Sequence, residues 1–269
     1  MLPHATATRF RSDAIALMYH AVVGGKASDG HDPHYSLPLA VLRRQLDEIG
    51  CRAGGATSVR DWLSSARDES VLLTFDDGHA SDRRLAMPLL LERGMRADFF
   101  INPANVGRAG FASWPELREM AAAGMSIQSH GYEHRHFTEL APRQLRESLR
   151  AARLEIEVRI GCPVSLLAPP GGRMPRGFAG IAQSCGYTHV LSSQPGWLRH
   201  DKDACVLPRL AVTADVGEPE FCRWIDGRRA SILRQQVRYR ALAMAKSVLG
   251  DARYERARER ALAYRENRA

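Results

Sequence analysis

Two short segments concentrate residues able to do acid–base or metal chemistry. Thr74-Phe75-Asp76-Asp77-Gly78 sets two carboxylates side by side, and His130-Gly131-Tyr132-Glu133-His134 sets two imidazoles four residues apart. Neighbouring residues leaving a strand point in different directions, so only one of the two carboxylates faces a given ion. Histidines four apart meet one ion when they lie on a helical turn or on a loop that imitates one. One carboxylate and two imidazoles form a three-ligand set for zinc or a similar divalent ion, with a coordination position left for water. Such an ion lowers the pKa of that water towards ~7, and the carboxylate left off the ion is then placed to act as general base. Two further segments accompany these: Leu17-Met18-Tyr19-His20, and the rigid turn Ala168-Pro169-Pro170-Gly171-Gly172.

These residues act together only if the fold brings them to one place. Apolar, β-rich runs at 15–19, 71–75, 98–101, 125–128, 164–168, 189–192 and 207–212 alternate with amphipathic stretches at 39–49, 83–93, 115–123, 142–160 and 177–185. Near-continuous apolar strands alternating with helices predict a parallel sheet covered on its outer face. About seven strands in that rhythm predict an α/β fold closed into a barrel, complete or incomplete, rather than a small open sheet. Each chemistry-bearing segment follows the C-terminal end of a strand, where the loops of such a fold converge. Ser113, followed by Trp114-Pro115-Glu116, has the signature of a helix-starting capping box. Gly50, Gly94, Gly124 and Gly186 are read as helix stops. The predicted organisation is a barrel domain over 1–215 and a basic helical tail over 216–269.

With 269 residues, 45% of them hydrophobic and 25% charged, the chain can bury a sizeable core. No apolar run approaches the ~20 residues of a membrane span. Five scattered cysteines without a CxxC pair argue against a disulfide framework or a cysteine-ligated zinc finger. Residues 1–11 lack the pattern of a secretory signal, which leads to an expectation of cytoplasmic location. The net charge of +8 sits entirely in the tail: residues 228–269 hold 12 Lys+Arg and 4 Asp+Glu, leaving 26 of each sign in the rest. No nucleic-acid-binding motif accompanies that charge. Leu233, Val237, Met244 and Val248 fall on one helical stripe, with Gly250 as a break. The tail is expected to pack on the barrel with a solvated arginine face, or to touch an anionic inner membrane leaflet.

Taken together, Thr74–Gly78, the His-x-x-x-His of 130–134 and the turn of 169–172 resemble the polysaccharide deacetylases of carbohydrate esterase family 4, over roughly residues 15–212. The resemblance implies a distorted (β/α) barrel and a metal-dependent hydrolase removing N- or O-acetyl groups from sugars. It implies Asp76 as general base, Asp77, His130 and His134 as metal ligands, and one divalent ion, zinc first, with cobalt, nickel or manganese as alternatives. Two positions depart from the family pattern. Gly131 stands where a loop-bracing hydroxyl is usual, and Ala168 where an arginine usually fixes the base; Arg173 and Arg209 are the candidates to replace that arginine. Leu17-Met18-Tyr19-His20 resembles the opening strand of the permuted poly-N-acetylglucosamine deacetylase branch, which implies His20 as the catalytic acid. Tyr132, Pro170, Gly171 and Trp197 are candidate substrate contacts, whereas Trp114, just before a helix-starting proline, is expected to pack. The expected partner is an N-acetylated sugar, glycan or lipid-linked glycan, in surface polysaccharide synthesis. A hydrolase of a small or lipid-linked amide or formamide, and a non-catalytic carbohydrate-binding barrel, are the competing readings.

Overall fold

The structure, a computed structural model, describes residues 13–24, 32–64, 69–199 and 204–249, with side chains through 244. The strands in chain order are β1 (Ile15–Tyr19), β2 (Val22–Val23), β3 (Leu37–Pro38), β4 (Val71–Phe75), β5 (Asp98–Ile101), β6 (Ser126–Ser129), β7 (Leu166–Leu167), β8 (His189–Leu191), β9 (Val206–Leu207) and β10 (Leu210–Ala211). The helices are α1 (Leu39–Ala53), α2 (Val59–Leu63), α3 (Met87–Glu92), α4 (Trp114–Ala122), α5 (Pro142–Ile160), α6 (Phe178–Ser184), α7 (Glu218–Ile225) and α8 (Arg229–Leu249).

Eight of the strands form one sheet in the order β10-β1-β4-β5-β6-β7-β8-β9, and β2 pairs with β3 apart from it. Every pairing in the large sheet is parallel. β9 and β10 stand at opposite ends of that order, yet only Pro208 and Arg209 separate them. Three residue steps span at most about 11 Å, so the sheet must curl until its two ends approach. The architecture is a distorted (β/α) barrel. The last predicted strand, 207–212, is in fact β9 and β10, divided where Pro208-Arg209 crosses from one end of the sheet to the other.

Side-chain parity sorts the strands into two cores. Ile15, Leu17, Tyr19, Val71, Leu73 and Phe75 face outward and join Leu42, Leu46, Ile49, Leu89 and Leu90 of the surrounding helices. Ala16, Leu72, Phe100, Leu166, Ala168, Leu191 and Leu207 form an inner cluster, to which α2 adds Val59 and Trp62. Because both faces are covered, β1, β4, β5 and β6 are buried along their whole length.

The helix boundaries follow local chemistry. Ser113 caps α4 in a complete capping box with Glu116, and Trp114 packs half-buried against the outer core with the Arg159 guanidinium 5.7 Å above its ring. Gly94, Gly124 and Gly186 adopt left-handed conformations at their helix ends, as expected. Gly50 does not stop α1. The helix runs on through the Glu48–Arg52 pair and ends at Gly54, φ 74°. The stretch 83–93 divides into a π-type turn, Asp82–Ala86, and α3, because Pro88 has no N–H to continue the ordinary ladder. Among the described residues, no helix is long and apolar enough to cross a membrane.

Candidate active site

Asp76 continues the inward parity of Leu72 and Thr74 and so enters the barrel at its C-terminal mouth. There Arg209, fully buried, grips it through two parallel bonds: Nη1 donates to Oδ1 at 2.7 Å and Nη2 to Oδ2 at 2.8 Å. Arg209 is itself fixed by Thr74 Oγ1, the Ser192 carbonyl and the face of Phe100. Of the two candidate arginines, Arg209 is the one bonded to Asp76. Arg173 is the C-cap of the 3-10 turn Pro170–Gly172. Burial alone would push the Asp76 carboxyl upward, but the Arg209 and His130 charges and the Arg209 bonds hold it below its ordinary value. Asp76 is therefore a carboxylate at neutral pH.

Asp77 would point away from Asp76 on a continued strand; instead it turns into the left-handed region, φ 77°, with Gly78 following at φ 75°. Gly78 is required there, because a Cβ would lie 2.9 Å from Ile101 Cγ2. The turn delivers Asp77 Oδ1 to His130 Nε2 at 3.2 Å and His134 Nε2 at 3.0 Å, and Oδ2 to His79 Nε2 at 3.3 Å. One ligand atom from each of Asp77, His130 and His134 lies within 4.8 Å of the others. Oδ1 is buried and makes no hydrogen bond despite two ring nitrogens close by. A buried carboxylate oxygen and two ring nitrogens thus converge on one point without a hydrogen bond among them, which fits a divalent cation held by these three groups. Burial raises the Asp77 carboxyl, but its contacts with His130, His134 and His79 outweigh that and hold it well below the ordinary value.

His130 and His134 share the site on a loop rather than a helix. Gly131 (φ 79°) and His134 (φ 55°) make the bend, and the two rings stand 5.2 Å apart. The hydroxyl expected at 131 has no room, since a Cβ there would meet Phe137 Cε1 at 2.8 Å. Bracing comes from elsewhere: Asn102 Nδ2 donates to the His130 carbonyl at 2.6 Å, and Ser129 Oγ accepts from the Gly131 N–H. His20 lies beyond β1 on the inward parity of Ala16 and Met18. Its ring is 4.4 Å from that of Tyr35, and its Nδ1 is buried without a hydrogen-bond partner. Burial pushes His20 below the ordinary imidazole value, against the pull of Asp77 and Asp76.

The other candidates are less central. Pro170 is buried, with its carbonyl 3.3 Å from His136 Nδ1, and Gly171 is left-handed against the same ring. Tyr132 is tied to α5 by a bond from its hydroxyl to Glu155, and Trp197 packs half-buried against the outer core. Sequence reasoning passed over His79 and Asn102. Both stand at strand ends by the rule that located the aspartates, so the signal was present but unused.

Known proteins resemble the chain in sequence and in fold. The chain is 25% identical to YxkH of Bacillus subtilis (strain 168), provisionally named as a polysaccharide deacetylase, over 60% of this chain and 58% of that one. The chain therefore spans less than two thirds of that relative. The structure of IcaB from Ammonifex degensii superposes with a TM-score of 0.66 at 25% identity, covering 80% of this chain and 98% of that one. The Streptococcus pyogenes deacetylase PplD, solved with acetate, gives 0.66 at 20% identity over 76% and 94%, a likeness of fold. His20 and Arg209 lie outside the stretch that a family model recognises. Residues 64–190, which carry both aspartates, both histidines and the Pro169–Gly172 turn, match the polysaccharide deacetylase family model.

Proposed function

We propose that this protein is a metal-dependent hydrolase that removes N-acetyl groups from a sugar or glycan intermediate in surface polysaccharide synthesis. One observation carries the reading: an ionised aspartate, clamped by arginine and held off the ion-binding set, stands beside a carboxylate with two imidazoles. Pure binding has no need of that off-metal carboxylate. PplD, a deacetylase of the same fold, was solved with acetate, the product such a reaction releases.

When bound by Asp77, His130 and His134, a divalent ion, zinc first, supplies Lewis-acid polarisation of the acetyl carbonyl and a lowered water pKa. Asp76 takes the proton of the attacking water, and the Arg209 fork keeps its carboxylate aimed and ionised. His20 gives a proton to the leaving nitrogen, which otherwise departs as a poor anion. Tyr132, Pro170, Gly171 and Trp197 are assigned to substrate contact. The basic helix α8 is assigned to an anionic inner membrane surface, where a lipid-linked glycan would be met. Residues 229–249 contain no acidic side chain, and Leu233, Val237 and Met244 stand exposed.

The first test is bound-metal stoichiometry by elemental analysis of wild type and His134→Ala, alongside acetate release from N-acetylated sugars. About one divalent ion per chain, lost in the variant, is expected. No ion in wild type after adding back zinc, cobalt or nickel would leave a barrel without this chemistry.

A further inference from the structure

The segment that hands His134 to Asp77 carries a second set of side chains. Tyr132, Glu133 and Arg135 line a cavity of about 330 Å³ together with Gln144, Glu147 and Ser148 from the first turns of α5. Phe137 also lines it, and is the ring that fills the space beside Gly131 in the metal-loop bend. The cavity and the candidate metal site therefore share one short piece of chain.

The cavity's chemistry is specific. Tyr132 is a fixed plate: its hydroxyl donates to Glu155 at 2.9 Å and its carbonyl accepts from the Ala104 N–H at 3.1 Å. Gln144 is also held, its Oε1 accepting from the Ala141 N–H. Glu147 is paired with Arg143 at 2.8 Å, so the remaining charges at the wall, Glu133 and Arg135, offset one another. A rigid aromatic ring with apolar Phe137, Leu140 and Ala151 and with amide, hydroxyl, carboxylate and guanidinium groups around it suits a polyhydroxylated ring, which has an apolar face and a polar edge. The volume falls at the lower end for small-molecule sites, enough for one such ring.

We propose that this groove is a subsite for a neutral sugar residue of the same glycan, close to the residue whose acetyl group meets Asp77. The inference rests on the deacetylase reading above. Ser148→Trp fills the groove from α5 without touching the candidate metal ligands. The probes are N-acetylglucosamine, the chitin pentamer and the poly-N-acetylglucosamine pentamer, with acetate release as readout. The pentamer-to-monomer ratio of kcat/KM is expected to fall about tenfold in the variant, the share of one subsite contact. An unchanged ratio in a folded variant overturns the proposal. Should Ser148→Trp fail to fold, Tyr132→Ala is expected to lower the ratio and Tyr132→Phe to restore it, and no difference between them overturns it. If wild type releases no acetate from any probe, the deacetylase reading fails on its own, and calorimetric titration of the pentamers decides the groove. Binding that weakens about tenfold in Ser148→Trp supports a sugar site, and absent or unaltered binding removes it.

Discussion

The Asp76–Arg209 pair concentrates the site's electrostatics in two buried side chains. A buried carboxylate is tolerated because a planar guanidinium saturates both of its oxygens, and removing one partner strands the other without water. Arg209→Ala is expected to cost about 3–5 kcal/mol, measurable by urea unfolding. Arg209→Lys should recover only part of this, because an ammonium cannot make the two-bond fork. His20 is expected to matter in proportion to leaving-group basicity. His20→Ala should slow amide hydrolysis by roughly 10²–10⁴-fold while barely affecting an aryl acetate, whose phenolate needs no proton. Equal losses on both substrates would show that His20 is not the acid.

At the scale of single elements, inward parity buries polar groups below the mouth of the barrel as well as at it. Asp98 opens β5 in register with Thr74 and accepts the Val59 N–H at the start of α2. Burial raises its carboxyl to about 7, against weaker opposing bonds from Ser126 and Val59. Its folded value lies above the unfolded ~3.8, so its contribution to stability is complete below about pH 4 and is lost as pH rises through 7. The loss amounts to about 4 kcal/mol. Denaturant midpoints measured from pH 4 to 8 should therefore decline in wild type. Asp98→Asn, which keeps an acceptor for Val59, should flatten that decline.

For the molecule as a whole, curling the sheet brings Arg209 to Asp76, and α7 and α8 close over the outside. α7 buries Phe221, Trp224 and Ile225 in the outer core. Glu220 then fastens α8, accepting from Ser231, Arg234 and Gln235 while also holding Arg223 and Trp224. Burial raises the Glu220 carboxyl, but these bonds dominate and bring it down to about 2. Its fastening therefore persists above the usual carboxylate range and is lost as pH falls towards 2. Glu220→Ala should expose Arg234 and Arg238 to trypsin several-fold faster, with the barrel otherwise intact. Cleavage at an unchanged rate would mean that α8 docks mainly through Ile232, which is fully buried.

Much of this arrangement was legible in residue types and spacing. Strand β-propensity, the Ser113–Glu116 capping box and the left-handed glycines after three helices depend on a few neighbouring residues, so short-range sterics decide them. The same holds for the two motifs: leaving strands at their C-terminal ends is enough to bring them to one mouth. Other features depend on distance in space rather than along the chain. Arg209 reaches Asp76 from 133 residues away, and only curling of the sheet, with β9 and β10 at its two ends, selects it over Arg173. Gly50 could have ended α1, but packing and the Glu48–Arg52 pair carried the helix to Gly54. Gly131 looked like a missing hydroxyl and is instead a position where Phe137 leaves no space for one. The sequence by itself determined which residues are candidates for the chemistry and at which end of the barrel they stand. The tertiary structure decided which partners hold them, because those partners meet only when distant segments close around one interior.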